Sequence, residues 1–280
     1  MSYTYDSITV RKIAPHVGAE IDGVDLSRPV TGRQLDEVHR ALAENLVIFF
    51  RDQTMGVQEQ RAFGQLFGEL LVHPASPNAY PGLPDVMVLH ADESSFTVDG
   101  ENWHTDVSCA EVPPMGSVLH LTEVPDVGGD TMFASMYAAY DALSDRVKTM
   151  LDGMTATHDG EKGYRGKYIN QPAGKVYPKA EHPVVCTHPV TGRKLLFVNR
   201  GFTSRINQLT RSESDAVLEF LFRHIETPLF HCRFSWRLGS VALWDNLATQ
   251  HRALWDYFPN VRHGHRVTIR GERPVFQTAA

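Results

Sequence analysis

Ser240-Val-Ala-Leu-Trp-Asp-Asn-Leu-Ala-Thr-Gln-His251 is the stretch whose pattern decides the fold. An apolar run typical of a buried strand is followed by a polar turn and then by a histidine. Similar short runs, separated by turn residues, recur at 46–50, 85–90, 115–122, 194–199, 230–237 and 265–270. Many short strands without regular βαβ alternation argue against a doubly wound sheet and favour a sandwich or jelly roll.

Four segments show helical spacing of apolar residues, at 32–45, 57–69, 135–151 and 212–226. In the first of them Leu35, Val38 and Leu42 recur at spacings of three and four, and Thr31 is the expected N-cap. We expect these helices to pack outside a core that is built from strands. The predicted fold class is therefore mainly β with flanking helices.

Composition excludes several classes of protein. The 280 residues include 27 Lys and Arg against 33 Asp and Glu, a formal net charge of −6 without a concentrated basic stripe, which argues against nucleic-acid binding. The longest strongly apolar run, Leu46-Val-Ile-Phe-Phe50, is far shorter than the roughly 18 residues of a membrane span. With no repeats and no linker, we expect a single domain over residues 1–280 and no membrane partner.

The three cysteines, Cys109, Cys186 and Cys232, are widely spaced and form no CxxC pair. A disulfide framework is not expected, and the first residues lack the pattern of a signal peptide, so the expected setting is the reducing cytoplasm. Cys109 follows Asp106 by three positions. Two interpretations of it stay open, a redox-sensitive neighbour of a metal site and a small buried apolar residue.

The 14 histidines are the unusual feature of the composition, because His is the commonest transition-metal ligand. Phosphate loops, nucleophile elbows, HExxH and dinucleotide-binding motifs are all missing from the sequence. Three His-x-acid triplets are present, where composition alone predicts about one or two. They are His90-Ala-Asp92, His104-Thr-Asp106 and His224-Ile-Glu226.

The context of each triplet separates them. The segment around His104 and Asp106 has extended character, and positions i and i+2 of a strand share one face. Together with a distant histidine, for which His251 is the candidate, they would form the 2-His-1-carboxylate triad that holds Fe(II). The other triplets are expected in a solvated loop (His90 and Asp92) and on the surface at a helix end (His224 and Glu226).

Arginines alternate with small residues near the C-terminus, at Arg262, Gly264, Arg266, Thr268 and Arg270. On a strand these side chains share one face. Two interpretations stay open. The arginines bind anions, since the guanidinium fork suits carboxylate or sulfonate, or they form a charged edge that faces solvent.

Motifs along nearly the whole chain carry a family resemblance. They are Gly18-Ala-Glu-Ile-Asp-Gly-Val-Asp-Leu26, Phe49-Phe-Arg-Asp-Gln53, Asn102-Trp-His-Thr-Asp-Val107, Gly128-Gly-Asp-Thr131, Val198-Asn-Arg-Gly-Phe202, Trp244-Asp-Asn246, Thr249-Gln-His251 and His265-Arg-Val-Thr-Ile269. Taken together, the chain resembles the taurine dioxygenase family of Fe(II)/2-oxoglutarate-dependent dioxygenases, which includes the enzymes that degrade 2,4-dichlorophenoxyacetate.

This resemblance implies a double-stranded β-helix (jelly roll, cupin-like) that uses Fe(II), 2-oxoglutarate and O₂. It implies His104, Asp106 and His251 as catalytic iron ligands, and Thr131 and Arg262 as partners of 2-oxoglutarate. It also implies His73, Val107, Phe202 and Arg266 as residues that contact the substrate, with Arg266 on its anionic group. Family members commonly form dimers or tetramers, so a homo-oligomer is expected.

Three departures from taurine dioxygenase concern the substrate. Ser76, Gly100 and Gly160 stand where that enzyme has an aromatic residue, an asparagine and a phenylalanine. Small residues at these positions predict a roomier cavity, in which taurine would lose the partners of its amine.

The expected function is therefore hydroxylation of a small anionic organic substrate. The first candidate is an alkylsulfonate, taurine or a larger relative, which would yield sulfite and an aldehyde together with succinate and CO₂. One alternative is the same chemistry on an aryloxyalkanoate or an alkyl sulfate ester. The alternative of another class is a cupin-like protein that binds a metal or ligand without turnover.

Overall fold

A large sheet of eight strands forms one layer of the computed structural model, which describes residues 4–73, 78–98, 100–165 and 176–277. In spatial order its strands are β1 (Thr9–Lys12), β2 (Ala19–Asp22), β3 (Val47–Phe50), β14 (Val241–Asp245), β6 (Gly116–Glu123), β16 (Arg262–Ile269), β5 (Leu83–Ala91) and β4 (Ala79–Tyr80). Strands β2 and β3 run parallel, and the other neighbours in this sheet are antiparallel.

Three smaller antiparallel sheets complete the strands of the described ranges. They are β13 (His231–Phe234), β7 (Thr131–Ser135) and β15 (Thr249–Ala253); β12 (Thr203–Ile206), β8 (Thr155–Asp159) and β9 (Lys179–Pro183); and β10 (Val185–Thr187) with β11 (Lys194–Leu196). The mainly β prediction is confirmed. The strand expected at 194–199 is shorter than predicted, because pairing with β10 ends at Leu196.

The helices of the described residues lie at α1 (Gly32–Asn45), α2 (Val57–Gln65), α3 (Met136–Asp141), α4 (Asp145–Leu151), α5 (Gly160–Tyr164) and α6 (Arg211–Ile225), with a 3₁₀ turn at Pro228–Phe230. The segment predicted as one helix at 135–151 is two helices, since Ser144 caps α4 by accepting a hydrogen bond from the Val147 amide. Helix α2 ends at Gln65, four residues earlier than predicted, and Thr31 precedes α1 without a side-chain capping bond. None of these helices is long and apolar enough to cross a bilayer.

Strand β14 shows why the central strands are apolar on both faces. Ala242 and Trp244 belong to the core between the sheets, whereas Val241 and Leu243 belong to the core beneath α1 and α2. Successive side chains of a strand point to opposite faces, so a strand that is covered on both sides reads as a continuous apolar run. The buried polar residues on the inner side of this layer include His251, Arg262 and Arg266.

Candidate active site

Two histidines from distant parts of the chain face each other in this inner space. His251 lies on β15, and His104 forms an antiparallel bridge with it in which each amide donates to the other's carbonyl, at 3.0 and 3.1 Å. The ring centroids are 4.2 Å apart. His104 Nδ1 lies 2.7 Å from the Asn102 carbonyl, to which it can donate only as the N–H, so Nε2 carries the lone pair that a metal requires.

Asp106 reaches the histidines by a route that differs from the prediction. His104 is in an extended bridge, but the chain turns directly after Thr105, and Val107 has a positive φ of 49°. The expectation that His104 and Asp106 share the face of one strand is therefore wrong. A β-branched residue in this backbone region is strained, and it needs surrounding contacts to persist.

Asn246, in the turn between β14 and β15, supplies such contacts. Its Oδ1 accepts from the Asp106 amide at 2.8 Å, and its Nδ2 donates to the Asp106 carbonyl at 3.0 Å. Asn246 belongs to the Trp244-Asp-Asn246 motif, from which this role was not predicted. A buried amide clamped to both backbone groups of a ligand residue fixes where that carboxylate points.

The three side chains present a donor set that fits Fe(II). One atom each from His104, Asp106 and His251 lies within 4.8 Å of the others, the one such group of three among the described residues. Burial raises the pKa of Asp106, but Arg266, His251 and His104 outweigh it and hold that pKa well below its usual range. Burial, with His104, lowers the pKa of His251 well below its usual range. A charged carboxylate beside neutral imidazoles is the ligand state that this metal site requires.

Arg262 occupies the far end of the same cavity. Its side chain is buried, and its Nε donates to the Gly129 carbonyl at 3.2 Å. In the described ranges no carboxylate lies within salt-bridge distance of it, and burial lowers its pKa. Thr131 lines the cavity nearby, and its hydroxyl accepts from Trp236 Nε1 at 2.9 Å. A buried guanidinium without a counter-charge is a binding site for an anion.

Arg266 lies four residues after Arg262 on β16 and has a different environment. Its Nη2 lies 2.6 Å from Asp106 Oδ2, and its Nε donates to Ser117 Oγ at 3.2 Å. Arg262, Gly264, Arg266 and Thr268 are all buried, which excludes a solvent-facing edge over this part of the strand. Arg270 lies beyond the strand and is exposed, in an ion pair with Glu69.

The remaining wall of the cavity, about 90 Å³ in volume, is largely apolar and aromatic. His73, Val107 and Phe202 line it as the family resemblance implies, together with Tyr164, whose ring centroid is 5.2 Å from that of Phe202. Burial, helped by Arg266, lowers the pKa of His73 to about 4, so this imidazole is neutral at pH 7. Tyr164 was not predicted, because nothing in the sequence places α5 beside the metal ligands.

A buried polar network links the Asp106 turn to this wall. Asn199 Nδ2 donates to Ser108 Oγ at 2.9 Å, while Asn199 Oδ1 accepts from the Phe202 amide at 2.8 Å. His158 Nδ1 lies 3.0 Å from the same Ser108 hydroxyl. Asn199 belongs to the Val198-Asn-Arg-Gly-Phe202 motif, from which this linking role was not predicted. Asn199 thereby ties Ser108, which follows Asp106 by two positions, to Phe202 in the wall of the cavity.

The other two triplets lie away from the cavity. His224 Nε2 bonds the Ala139 carbonyl at 2.8 Å and Glu226 pairs with Arg200, so both are half-buried and make structural contacts at the end of α6. His90 and Asp92 are at an exposed strand end, close to the solvated position predicted. Cys109 is fully buried and its thiol pKa is raised by burial to about 12, which favours the apolar interpretation.

The structure describes two of the three small residues that predict a roomier cavity, and only one of these two lines it. Gly100 lines it, but Gly100 has a φ of +88°, and a Cβ there would lie 3.2 Å from the His104 ring. A Cβ at Gly160 would meet the Pro178 carbonyl and Cys109 Sγ instead, so Gly160 is filled by its own neighbours and that part of the prediction is wrong. Ser76 lies outside the described residues.

Comparison with known proteins agrees with this geometry. Residues 9–268 match the family model described as "Taurine catabolism dioxygenase TauD, TfdA family". The chain belongs to the TauD/TfdA family. It is an Fe(II)- and 2-oxoglutarate-dependent dioxygenase with the jelly-roll fold, as predicted. The alternative of a binding protein without turnover is not supported.

Individual relatives of this TauD/TfdA-family chain also match it over nearly its whole length. An alpha-ketoglutarate-dependent sulfate ester dioxygenase of Pseudomonas putida is 35% identical over 96% of this chain and 91% of its own length. An alpha-ketoglutarate-dependent sulfonate dioxygenase of Saccharomyces cerevisiae is 34% identical over 96% of this chain and 68% of its own length. A crystal structure of a taurine dioxygenase from Burkholderia xenovorans is 34% identical, covers 97% of this chain and 92% of its own, and superimposes with a TM-score of 0.84.

Proposed function

We propose that this dioxygenase hydroxylates an alkylsulfonate on the carbon that bears the sulfonate. The observation that carries this proposal is that one cavity contains two buried arginines and an otherwise largely apolar wall. Each arginine could bind one anion. No carboxylate of the described ranges lies within salt-bridge distance of Arg262, and Arg266, which pairs with Asp106, lines the same cavity as the aromatic wall.

The residue roles follow from those positions. His104, Asp106 and His251 would hold Fe(II), which together with 2-oxoglutarate and O₂ supplies the oxidising power for C–H hydroxylation. Arg262 would bind the distal carboxylate of 2-oxoglutarate, with the Thr131 hydroxyl beside it. His73, Val107, Phe202 and Arg266 would orient the substrate, with Arg266 on its anionic group.

Products follow from the chemistry of the hydroxylated carbon. A carbon that bears both a hydroxyl and a sulfonate loses the C–S bonding pair to sulfur as sulfite, while the hydroxyl oxygen becomes a carbonyl and releases its proton. A primary alkylsulfonate therefore yields an aldehyde and sulfite, and 2-oxoglutarate yields succinate and CO₂. The protein's own contribution is orientation of the reacting carbon and exclusion of water.

The charge of the lining bears on which sulfonate is preferred. Asp106 is the one acidic residue among the described residues that line the cavity, and it is already used by the triad and Arg266. An ammonium group such as that of taurine would find no counter-charge on these walls, and burying it unpaired is costly. We therefore propose an alkylsulfonate with an apolar chain ahead of taurine.

A second candidate is an alkyl sulfate ester, which is favoured by the similarity to the Pseudomonas putida sulfate ester dioxygenase. Hydroxylation of the carbon next to the ester oxygen would release sulfate in place of sulfite. The sulfate ester group and the sulfonate group each carry one negative charge on three terminal oxygens, so Arg266 would serve for both.

The test is O₂ consumption that depends on 2-oxoglutarate, measured on Fe(II)-loaded protein with taurine, longer alkylsulfonates, alkyl sulfates and aryloxyalkanoates. Sulfite and sulfate are measured as separate products, and Asp106→Ala protein serves as the blank. Stimulation by alkylsulfonates with stoichiometric sulfite supports the proposal. Stimulation by alkyl sulfates alone, or by aryloxyalkanoates alone, overturns the sulfonate assignment and leaves the dioxygenase class intact.

Three broader expectations remain proposals. We infer that residues 1–280 form one domain, which is supported by a family match over residues 9–268. A cytoplasmic setting is supported by three cysteines that are free and buried. The homo-oligomer stays a prediction, and light scattering of the purified chain would test it.

A further inference from the structure

A second pairing of histidines lies on the opposite face of β16 from Arg262 and Arg266. His90 on β5 and His263 on β16 are directly opposite each other in the antiparallel ladder. Because neighbouring residues of a strand point to opposite faces, His263 points away from the cavity that Arg262 lines. Neither His90 nor His263 is used by the proposed reaction.

The two rings are arranged with like atoms facing. His90 Nδ1 and His263 Nδ1 are hydrogen-bonded at 3.2 Å, so in the metal-free protein one ring donates its N–H to the other, and the ring centroids are 5.3 Å apart. Bonds of 2.0–2.1 Å from both nitrogens to one ion would enclose an angle of about 100°, between the tetrahedral and octahedral values. The separation therefore allows one metal ion to bind both nitrogens once it displaces the proton of the hydrogen bond between them.

A carboxylate fixes the tautomer of one ring. Asp92 Oδ2 lies 3.2 Å from His90 Nε2, and Asp92 is held by the Ser94 amide and hydroxyl, which lower its pKa to about 2. A charged carboxylate accepts the Nε2 proton, so the lone pair of neutral His90 is on Nδ1. A carboxylate on the remote nitrogen of an imidazole is the usual arrangement behind metal-binding histidines.

The surroundings leave room for further ligands. The His90 side chain is 45% exposed, and Glu123, an exposed carboxylate on β6, lies opposite His263 on the other side. Burial, with His90, lowers the pKa of His263, which keeps this imidazole neutral near pH 7. Water can therefore complete the coordination of an ion that two imidazoles hold.

We propose that His90 and His263 bind a divalent transition-metal ion, of the zinc, nickel and copper group, through their Nδ1 atoms. Imidazole nitrogen with carboxylate or water oxygen is the donor set that these ions prefer. This site shares no residue with the triad and is independent of the proposed function. With two protein nitrogens and exposed surroundings, it binds its ion more weakly than the triad does.

The test is zinc stoichiometry at equilibrium. The untagged full chain is stripped with a chelator, dialysed against zinc and assayed for bound metal, beside the variants His90→Gln and His263→Gln. Each variant is expected to bind one zinc per chain fewer than the unsubstituted protein, and Asp92→Asn is expected to weaken that zinc by about 10–100-fold. Asp106→Ala, which removes a ligand of the triad, should keep the zinc that the His90 and His263 variants lose.

Matched controls keep the result interpretable. His16→Gln changes an exposed histidine outside both clusters and should bind as much zinc as the unsubstituted chain. Retained turnover with 2-oxoglutarate shows that His90→Gln and His263→Gln are folded, and if His263→Gln does not fold, the exposed His90 variant decides. Unchanged zinc stoichiometry in folded His90→Gln overturns the proposal.

Discussion

Two His-x-Asp triplets of this chain each have a second histidine across from the first, but their surroundings differ. His104 forms an isolated antiparallel bridge with His251, and His90 is opposite His263 in the ladder between β5 and β16. In the first cluster the carboxylate of Asp106 converges with the imidazoles, and all three groups are mostly buried beside Arg266. In the second, Asp92 lies behind His90, and the cluster is open to solvent.

Residue type and spacing therefore do not decide what a triplet does. The turn after Thr105 brings Asp106 round to the ligand atoms, whereas Asp92 follows a strand that continues straight to Ala91. The two arginines of β16 add the second difference, since they give only the inner cluster binding sites for anions. The comparison separates a reaction site from a metal-binding surface.

Removing the inner carboxylate is expected to have the largest effect. Asp106→Ala deletes one of three metal ligands and leaves Arg266 without its anionic partner, so turnover should fall by roughly 10³-fold or more. The measurements are succinate formation and bound iron per chain. Full activity in this variant would contradict the assignment of the triad.

The next largest effect is expected at the far end of the cavity. Arg262→Gln removes the buried cation that would pair with the distal carboxylate of 2-oxoglutarate, and loss of one partner of such a buried pair costs about 2–5 kcal/mol. The KM for 2-oxoglutarate should rise by roughly 30-fold or more, with a smaller change in the KM for substrate. An unchanged KM for 2-oxoglutarate would place the distal carboxylate elsewhere.

Arg266→Gln should give the reverse pattern. The substrate KM is expected to rise about 10–100-fold, because the anionic group loses its charged partner, while the KM for 2-oxoglutarate changes by less than about threefold. Steady-state kinetics in both reactants measure the split. If 2-oxoglutarate binding collapses instead, the roles of the two arginines are exchanged.

Acid tests the buried network behind the triad. Burial, with His182, lowers the pKa of His158 to about 3, against about 6.5 in an unfolded chain. Between about pH 6.5 and 3, His158 is therefore protonated in the unfolded state and neutral in the folded state. The free energy of unfolding falls as the pH drops through this range. Urea denaturation of His158→Gln across this range should show a weaker loss of stability than the unsubstituted chain.

The smallest effect is expected at the outer cluster. Asp92→Asn changes a His-x-Asp triplet of the same type as the inner one, but turnover should stay within about twofold, because an exposed group outside the cavity contributes little to the reaction. A kcat/KM measurement beside Asp106→Ala gives the contrast. A loss approaching that of Asp106→Ala would mean that the two clusters are coupled.

Much of the fold was accessible from sequence because local patterns reflect local physics. Apolar runs located seven of the sixteen strands in the described ranges, and the 3.6-residue spacing located α1 at its observed bounds. The boundaries that failed depend on single side chains. Ser144 divides one predicted helix into α3 and α4, and this capping bond competes with helix continuation in a way that periodicity does not register.

The amino-acid sequence by itself determined the chemistry that is available: which histidines, carboxylates and arginines exist, and that Arg262 and Arg266 share one face of a strand. Only the tertiary structure decided which of them meet. The convergence of His104, Asp106 and His251 depends on a strained turn at Val107 that Asn246 holds. The pairing of His90 with His263 depends on strand register. Both result from long-range contacts, because ligand distances and burial are set by residues that are far apart in the chain.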